Sequence, residues 1–292
     1  MISMNLVFAQ ILIIFGYVAV GLGAGKLGLV NPEQRKYLTR LCSDLMLPFT
    51  ILSAASMQVG ADGFRSLAIV MAVMFAVIGG TMALSMAVCR VLHGERKLSV
   101  GMTSLIAFPN LTFLGLPLGI ALFGEIAVLY NSAALIAFNV AFFLVQAPLF
   151  TGDKISLKSV LILDLHWPAP VQTVMSNVGS MVTPMSLIVI GVMLSESDFL
   201  SIFRGKAVYL VVLLRNFLIP IISLLILRFT PLDTDVRLCV LVFLSCPCAT
   251  MTSIYAIQTD TRPELCARSV LLSTVAFGIS LPFVIAAGEY FL

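Results

Sequence analysis

The sequence predicts an all-α integral membrane fold made of two inverted five-helix repeats, and three observations predict it. The 292 residues are 60% hydrophobic and 11% charged, with a mean hydropathy of +1.09. Soluble domains are about 45–50% apolar and about 25% charged, so the excess apolar surface must face lipid. Two apolar stretches are interrupted midway by proline and small polar residues, at Phe108-Pro109-Asn110-Leu111-Thr112 and Ser245-Cys246-Pro247-Cys248-Ala249-Thr250. A further pair of prolines, Pro48 and Pro184, repeats the offset: 136 positions for this pair, 138 for Pro109 and Pro247. Each half thus reads as a proline-bearing helix, a helix and a broken helix, the pattern of transporters whose sites lie between discontinuous helices.

The first apolar run, Leu6 to Gly25, lacks a positively charged leader and is long enough to cross about 30 Å of hydrocarbon, which predicts a retained helix. Further spans are expected at about 38–58 (with Pro48), 66–90, 99–123, 126–150, 174–195 (with Pro184), 206–228, 237–258 and 267–291. Inside lipid each segment must satisfy its own backbone, so these are helices. The repeat asks for a tenth helix at the start of the second half. Its place is taken by the polar stretch Thr151-Gly152-Asp153-Lys154, and the apolar remainder before Trp167 is too short to span. The expected organisation is a first repeat over 1–150, a cytoplasmic loop with a remnant of the sixth helix over 151–173, and a four-helix second repeat over 174–292. Trp167-Pro168-Ala169-Pro170 reads as an interfacial turn.

Lysine and arginine collect in cytoplasmic loops. With an outside N-terminus and ten crossings, most of them fall inside, from Lys26, Arg35 and Lys36 to Arg262 and Arg268, leaving Arg65, Arg228 and Arg237 outside. Removing one crossing after residue 150 degrades that asymmetry. The sequence shows no basic block suited to nucleic acid.

The chemistry is expected at the two breaks. Unwound backbone at membrane depth is tolerated where it lines a cavity or is buried in protein, and half-helix ends offer partial charges to a bound ion. The candidate binding residues are Pro109, Asn110, Leu111 and Thr112 with Cys246, Pro247, Cys248, Ala249 and Thr250. Arg215 lies near the middle of an apolar span, where a cation is costly and functional by default. Its donors suit a substrate carboxylate or an internal partner, for which Asp44 is the candidate. A structural pair or snorkelling is the alternative reading. Asn131, Asn139 and Gln146 share one stripe of the fifth span, read as interhelical hydrogen bonding, with Asn139 a further coupling candidate. The six cysteines read as buried thiols. Cys246-Pro247-Cys248 could hold a soft ion, but no loop is large enough for the domains of a metal pump, so neither metal nor cofactor is expected. No metalloprotease or nucleophile-elbow motif supports an enzyme.

Leu47-Pro48, the run from Phe108 to Pro117, the run from Val182 through Pro184 to Gly191, and Cys246-Pro247-Cys248-Ala249 together form an ordered pattern over nearly the whole chain. It resembles the auxin efflux carrier family, prokaryotic relatives of the plant PIN-type carriers and more distant relatives of bile acid:sodium symporters. The two cysteines stand where members often have other small residues. The resemblance implies a secondary transporter in the cytoplasmic (inner) membrane, with scaffold and transport bundles and with Pro109, Asn110 and Pro247 at the crossover. It further implies a small organic anion as substrate, proton coupling and a homodimer. A sodium-coupled symporter of the bile acid type, or a non-transporting remnant lacking one helix, are the alternatives.

Overall fold

The computed structural model describes residues 4–46, 48–49, 64–91, 95–124, 126–152, 168–195 and 205–292, and among them the chain is mostly helical, with short turns between helices and one isolated antiparallel bridge in place of any sheet. Each stretch read as a span carries helix where it is described. Among the described residues, five continuous helical stretches are long and apolar enough to cross a bilayer: Arg65–Val91, Ile126–Thr151, Pro170–Val192, Lys206–Arg228 and Pro263–Phe291. The proposed sixth-helix remnant falls on residues 153–167, outside the described residues. The loop expected through residue 173 ends at Pro168. Pro168 caps a helix that starts at Ala169 with Pro170 in its first turn, where proline's missing N–H costs nothing.

One group of helices comprises α1 (Met4–Lys26), α2 (Pro32–Arg40), α8 (Ala169–Ser180) and α9 (Val182–Ser195). A reciprocal capping box between Asn31 and Gln34, with Pro32 in the first turn, starts α2. The α1–α9 contact is made by small residues on both sides. A Cβ on Gly21 would strike the Ile188 carbonyl, one on Gly191 the Val18 carbonyl, and one on Gly25 the Ser195 hydroxyl. Gly21 and Gly25, like Gly191 and Ser195, are four apart and so share a helix face. This small-xxx-small pattern lets backbones approach in a medium that offers no hydrophobic drive.

The second group holds α3 (Phe64–Val91), α4 (Arg96–Ala107), α5 (Leu116–Phe123), α6 (Ile126–Ala141), α7 (Ala147–Thr151), α10 (Lys206–Leu213), α11 (Ile219–Arg228), α12 (Thr234–Ser245), α13 (Thr250–Gln258) and α14 (Pro263–Phe291). Its core is a continuous apolar cluster built around Ile106, Phe108, Phe142, Phe243 and Phe277. The two groups also meet along α13. There Ile254, Met251 and Tyr255 pack with Cys42 and Met46 beyond α2, and with Val178 and Met185 of α8 and α9, as a separate small cluster.

Among the described residues, four helical stretches contain a turn widened to i→i+5 bonding: Leu41–Met46, Leu111–Gly115, Phe142–Gln146 and Leu214–Leu218. Gly115 N donates to Asn110 O, Ala147 N to Phe142 O and Ile219 N to Leu214 O. Each widened turn contains the residue four before a proline: Asp44 before Pro48, Phe113 before Pro117, Leu144 before Pro148 and Asn216 before Pro220. Proline supplies no N–H to that carbonyl and its ring crowds it, and admitting one extra residue relieves the crowding.

Candidate functional site at the helix crossover

Both anticipated breaks are present, and they touch. Helix α4 ends at Ala107, because Phe108 precedes proline and is driven to extended geometry (φ −103°, ψ 116°). Helix α12 ends at Ser245 for the same reason, with Cys246 at φ −54°, ψ 148°, and α13 resumes after the extended Ala249. The two extended strips pair antiparallel, bridged at Pro109 and Cys248. Asn110 N donates to Pro247 O at 2.8 Å, and Ala249 N donates to Phe108 O at 3.0 Å. The prolines free these groups from their helices, and the strips satisfy one another where water is excluded. Cys248 N donates to the Ser273 hydroxyl of α14 at 3.1 Å.

The half-helices form an X. On one side of the crossing α4 lies beside α13, joined by the Ser104 and Thr252 hydroxyls at 2.7 Å. At the far end of that pair Lys97 bonds Asp260 and Arg262 pairs with Glu95. On the other side α5 lies beside α12: a Cβ at Gly119 would come within 2.7 Å of the Phe243 ring, so close approach there needs glycine. Phe108 is clamped edge-on by Phe138 and Phe142, each 5.1 Å away between ring centres.

Arg215 is 1% exposed and sits in the widened turn before Pro220. Its Nε donates to Cys246 O (2.8 Å), one terminal nitrogen to Ile106 O (2.9 Å) and the other to Leu244 O (2.7 Å). These carbonyls end α4 and α12, where unpaired C=O groups concentrate negative partial charge. One guanidinium therefore ties the C-termini of both broken helices. The adjacent Asn216 donates to Ser273 O at 2.9 Å, joining the same turn to α14.

The structure thus gathers Pro109, Asn110 and Leu111 with Cys246, Pro247, Cys248, Ala249, Thr250 and Arg215, all buried, with Thr112 half-buried beside them. It does not pair Arg215 with Asp44. Arg215's bonds all go to backbone carbonyls, and among the described residues every carboxylate is exposed. Asp44 instead lines a polar cavity of about 690 Å³ with Arg35, Lys36 and Arg40, facing Gln258, Asp260 and Glu264. Gln146 Nε2 donates to Val100 O at 3.1 Å, an interhelical bond of the kind expected for that stripe. Asn139 is buried on α6, and its amide nitrogen meets no acceptor among the described residues. Pro184 lies in the first turn of α9, and Pro48 is exposed. Both thiols at the second break are buried, and Cys246 Sγ donates to Val242 O.

Sequence reasoning missed Asn216, Ser273, Ser104 and Thr252, which hold the crossing. One signal was available: Arg215 and Asn216 sit five and four residues before Pro220, where a helix must widen.

No curated protein matches this chain. A sequence model described as membrane transport protein matches residues 6–151 and again residues 135–285. With nearly its whole length matched, the chain belongs to the membrane transport protein family, the auxin efflux carrier type of transporter.

Proposed function

We propose that this transporter carries a small organic anion, a carboxylate, across the cytoplasmic membrane by alternating access, with the crossover as its binding site. One observation supports this above the rest: a buried guanidinium stands at the crossing while the described carboxylates are all exposed. Burying a charge costs several kcal/mol in practice. Three charge-assisted bonds, each about 1.5–3 kcal/mol, offset that cost but leave the positive charge in place. Its field favours an anion nearby. The N-terminal turns after each break, at Leu111–Thr112 and at Thr250, add N–H dipoles of the same sign.

In this reading the halves are inverted, as the antiparallel pairing at Pro109 and Cys248 supports. Access runs from the cavity at Arg35, Arg40 and Asp44 to the crossing, past the Met46, Met185 and Met251 contact. The N-terminus lies outside, coupling is to protons, and two copies assemble as a dimer.

Flux of labelled mono- and dicarboxylates into proteoliposomes, with and without a proton gradient, tests the reading. Asn110→Ala should lower uptake at least tenfold while leaving expression and melting temperature nearly unchanged. Equal flux in variant and wild type would remove Asn110 from the site. Absence of both flux and ligand-induced thermal stabilisation for every carboxylate would overturn the carrier reading.

A further inference from the structure

Half-helix C-termini and unwound carbonyls are where transporters of broken-helix construction hold a coupling cation. Here the corresponding oxygens are Ile106 O from α4 with Leu244 O and Cys246 O from α12, and all three accept from Arg215 at 2.7–2.9 Å. Three carbonyl oxygens from two converging helix ends, all in residues at most 1% exposed, form a cage of negative partial charge that suits a cation, for which oxygen partners are the ordinary choice. An inorganic cation at such a place usually gains a carboxylate ligand as well. Among the described residues none is available, because their acidic side chains are all exposed. The guanidinium fills the cage in a way a free ion cannot: it is covalently held, it stays protonated at any physiological pH, and its planar fork engages three acceptors at once. The widened turn before Pro220 fixes its direction, and the Asn216 bond to Ser273 O holds that turn against α14.

We infer that Arg215 is a built-in cation: it occupies the carbonyl cage in which a free coupling ion would sit, so the crossover requires no sodium for its integrity or its turnover. Sodium-independent turnover presupposes the carrier reading above, whereas sodium-independent folding does not. Neutralising the side chain should uncover the cage, and a small alkali cation should then bind in it.

The test uses the full-length protein in lipid nanodiscs, melted in sodium, lithium or choline chloride at equal ionic strength. Wild type should melt at one temperature in all three salts. Arg215→Ala should melt roughly 10 °C lower in choline and recover at least half of that loss in sodium or lithium, saturating with concentration. Arg215→Gln, which keeps one amide donor, is read the same way if the alanine variant does not survive purification. Arg215→Lys, which keeps the charge, should lose less and stay indifferent to the salt. If only the lysine variant folds, the need for a fixed charge is upheld. Saturable stabilisation of wild type by sodium, or a neutral variant that melts identically in all three salts, overturns the inference. In proteoliposomes, replacing sodium by choline on both sides should leave wild-type flux unchanged. A sodium requirement there also overturns it, whereas absence of any flux defeats the carrier reading and leaves the melting result standing.

Discussion

The α1–α9 seam holds the first group of helices together, the contact across α13 joins that group to the second, and the two are built by opposite means. At the seam, Gly21, Gly25 and Gly191 bring main chain against main chain with nothing between to adjust. Across α13, three long, unbranched methionines, Met46, Met185 and Met251, meet Cys42, Ile254 and Tyr255. Methionine repacks at little cost because three soft torsions and a polarisable sulfur tolerate many geometries. The difference teaches where motion is affordable: the glycine seam admits one arrangement, while the methionine contact can slide.

The largest way to break this contrast is Gly191→Val. Its branched side chain would collide with the Val18 carbonyl and the Leu22 amide, forcing the helices apart. We expect a loss above about 4 kcal/mol or failure to fold, read by thermal denaturation in nanodiscs. A variant that melts like wild type would show that the seam is not rigid. Met185→Ala with Met251→Ala sharpens the other side. Both residues are only partly buried, so stability should fall by about 1–3 kcal/mol, less than a pair of core truncations, while exchange flux rises a few-fold. Unchanged flux would mean that this contact does not gate. The smallest effect is expected at Lys97→Gln, which removes an exposed pair with Asp260. Exposed pairs contribute about 0–1 kcal/mol, and a shift in melting temperature beyond a few degrees would show the end of the α4–α13 pair to be more tightly coupled than its exposure allows.

Much of this architecture could be read from the residues, and what could not has a physical cause. Pro109 and Pro247 announced the breaks because proline acts locally on the residue before it and the carbonyl four before it. The same rule, applied to Pro117, Pro148 and Pro220, also forecasts the widened turns, which apolar periodicity hides. Arg215 was legible as costly, but its partners were not: backbone carbonyls carry no residue identity, so a sequence search for its partner finds a carboxylate such as Asp44. The seam escaped notice because Gly21 and Gly25 look like ordinary small residues until the facing Gly191 and Ser195 are known. The start of α8 was placed at 174 rather than Ala169 because hydropathy begins later than the prolines that open the helix.

The antiparallel bridge between the two strips carries a mechanical consequence. Bending at the X would break the bonds from Asn110 N to Pro247 O and from Ala249 N to Phe108 O in surroundings without replacement partners. The crossing is therefore a weld and not a hinge. Any stroke made in the proposed carrier cycle would have to move the two strips together as one rigid plate.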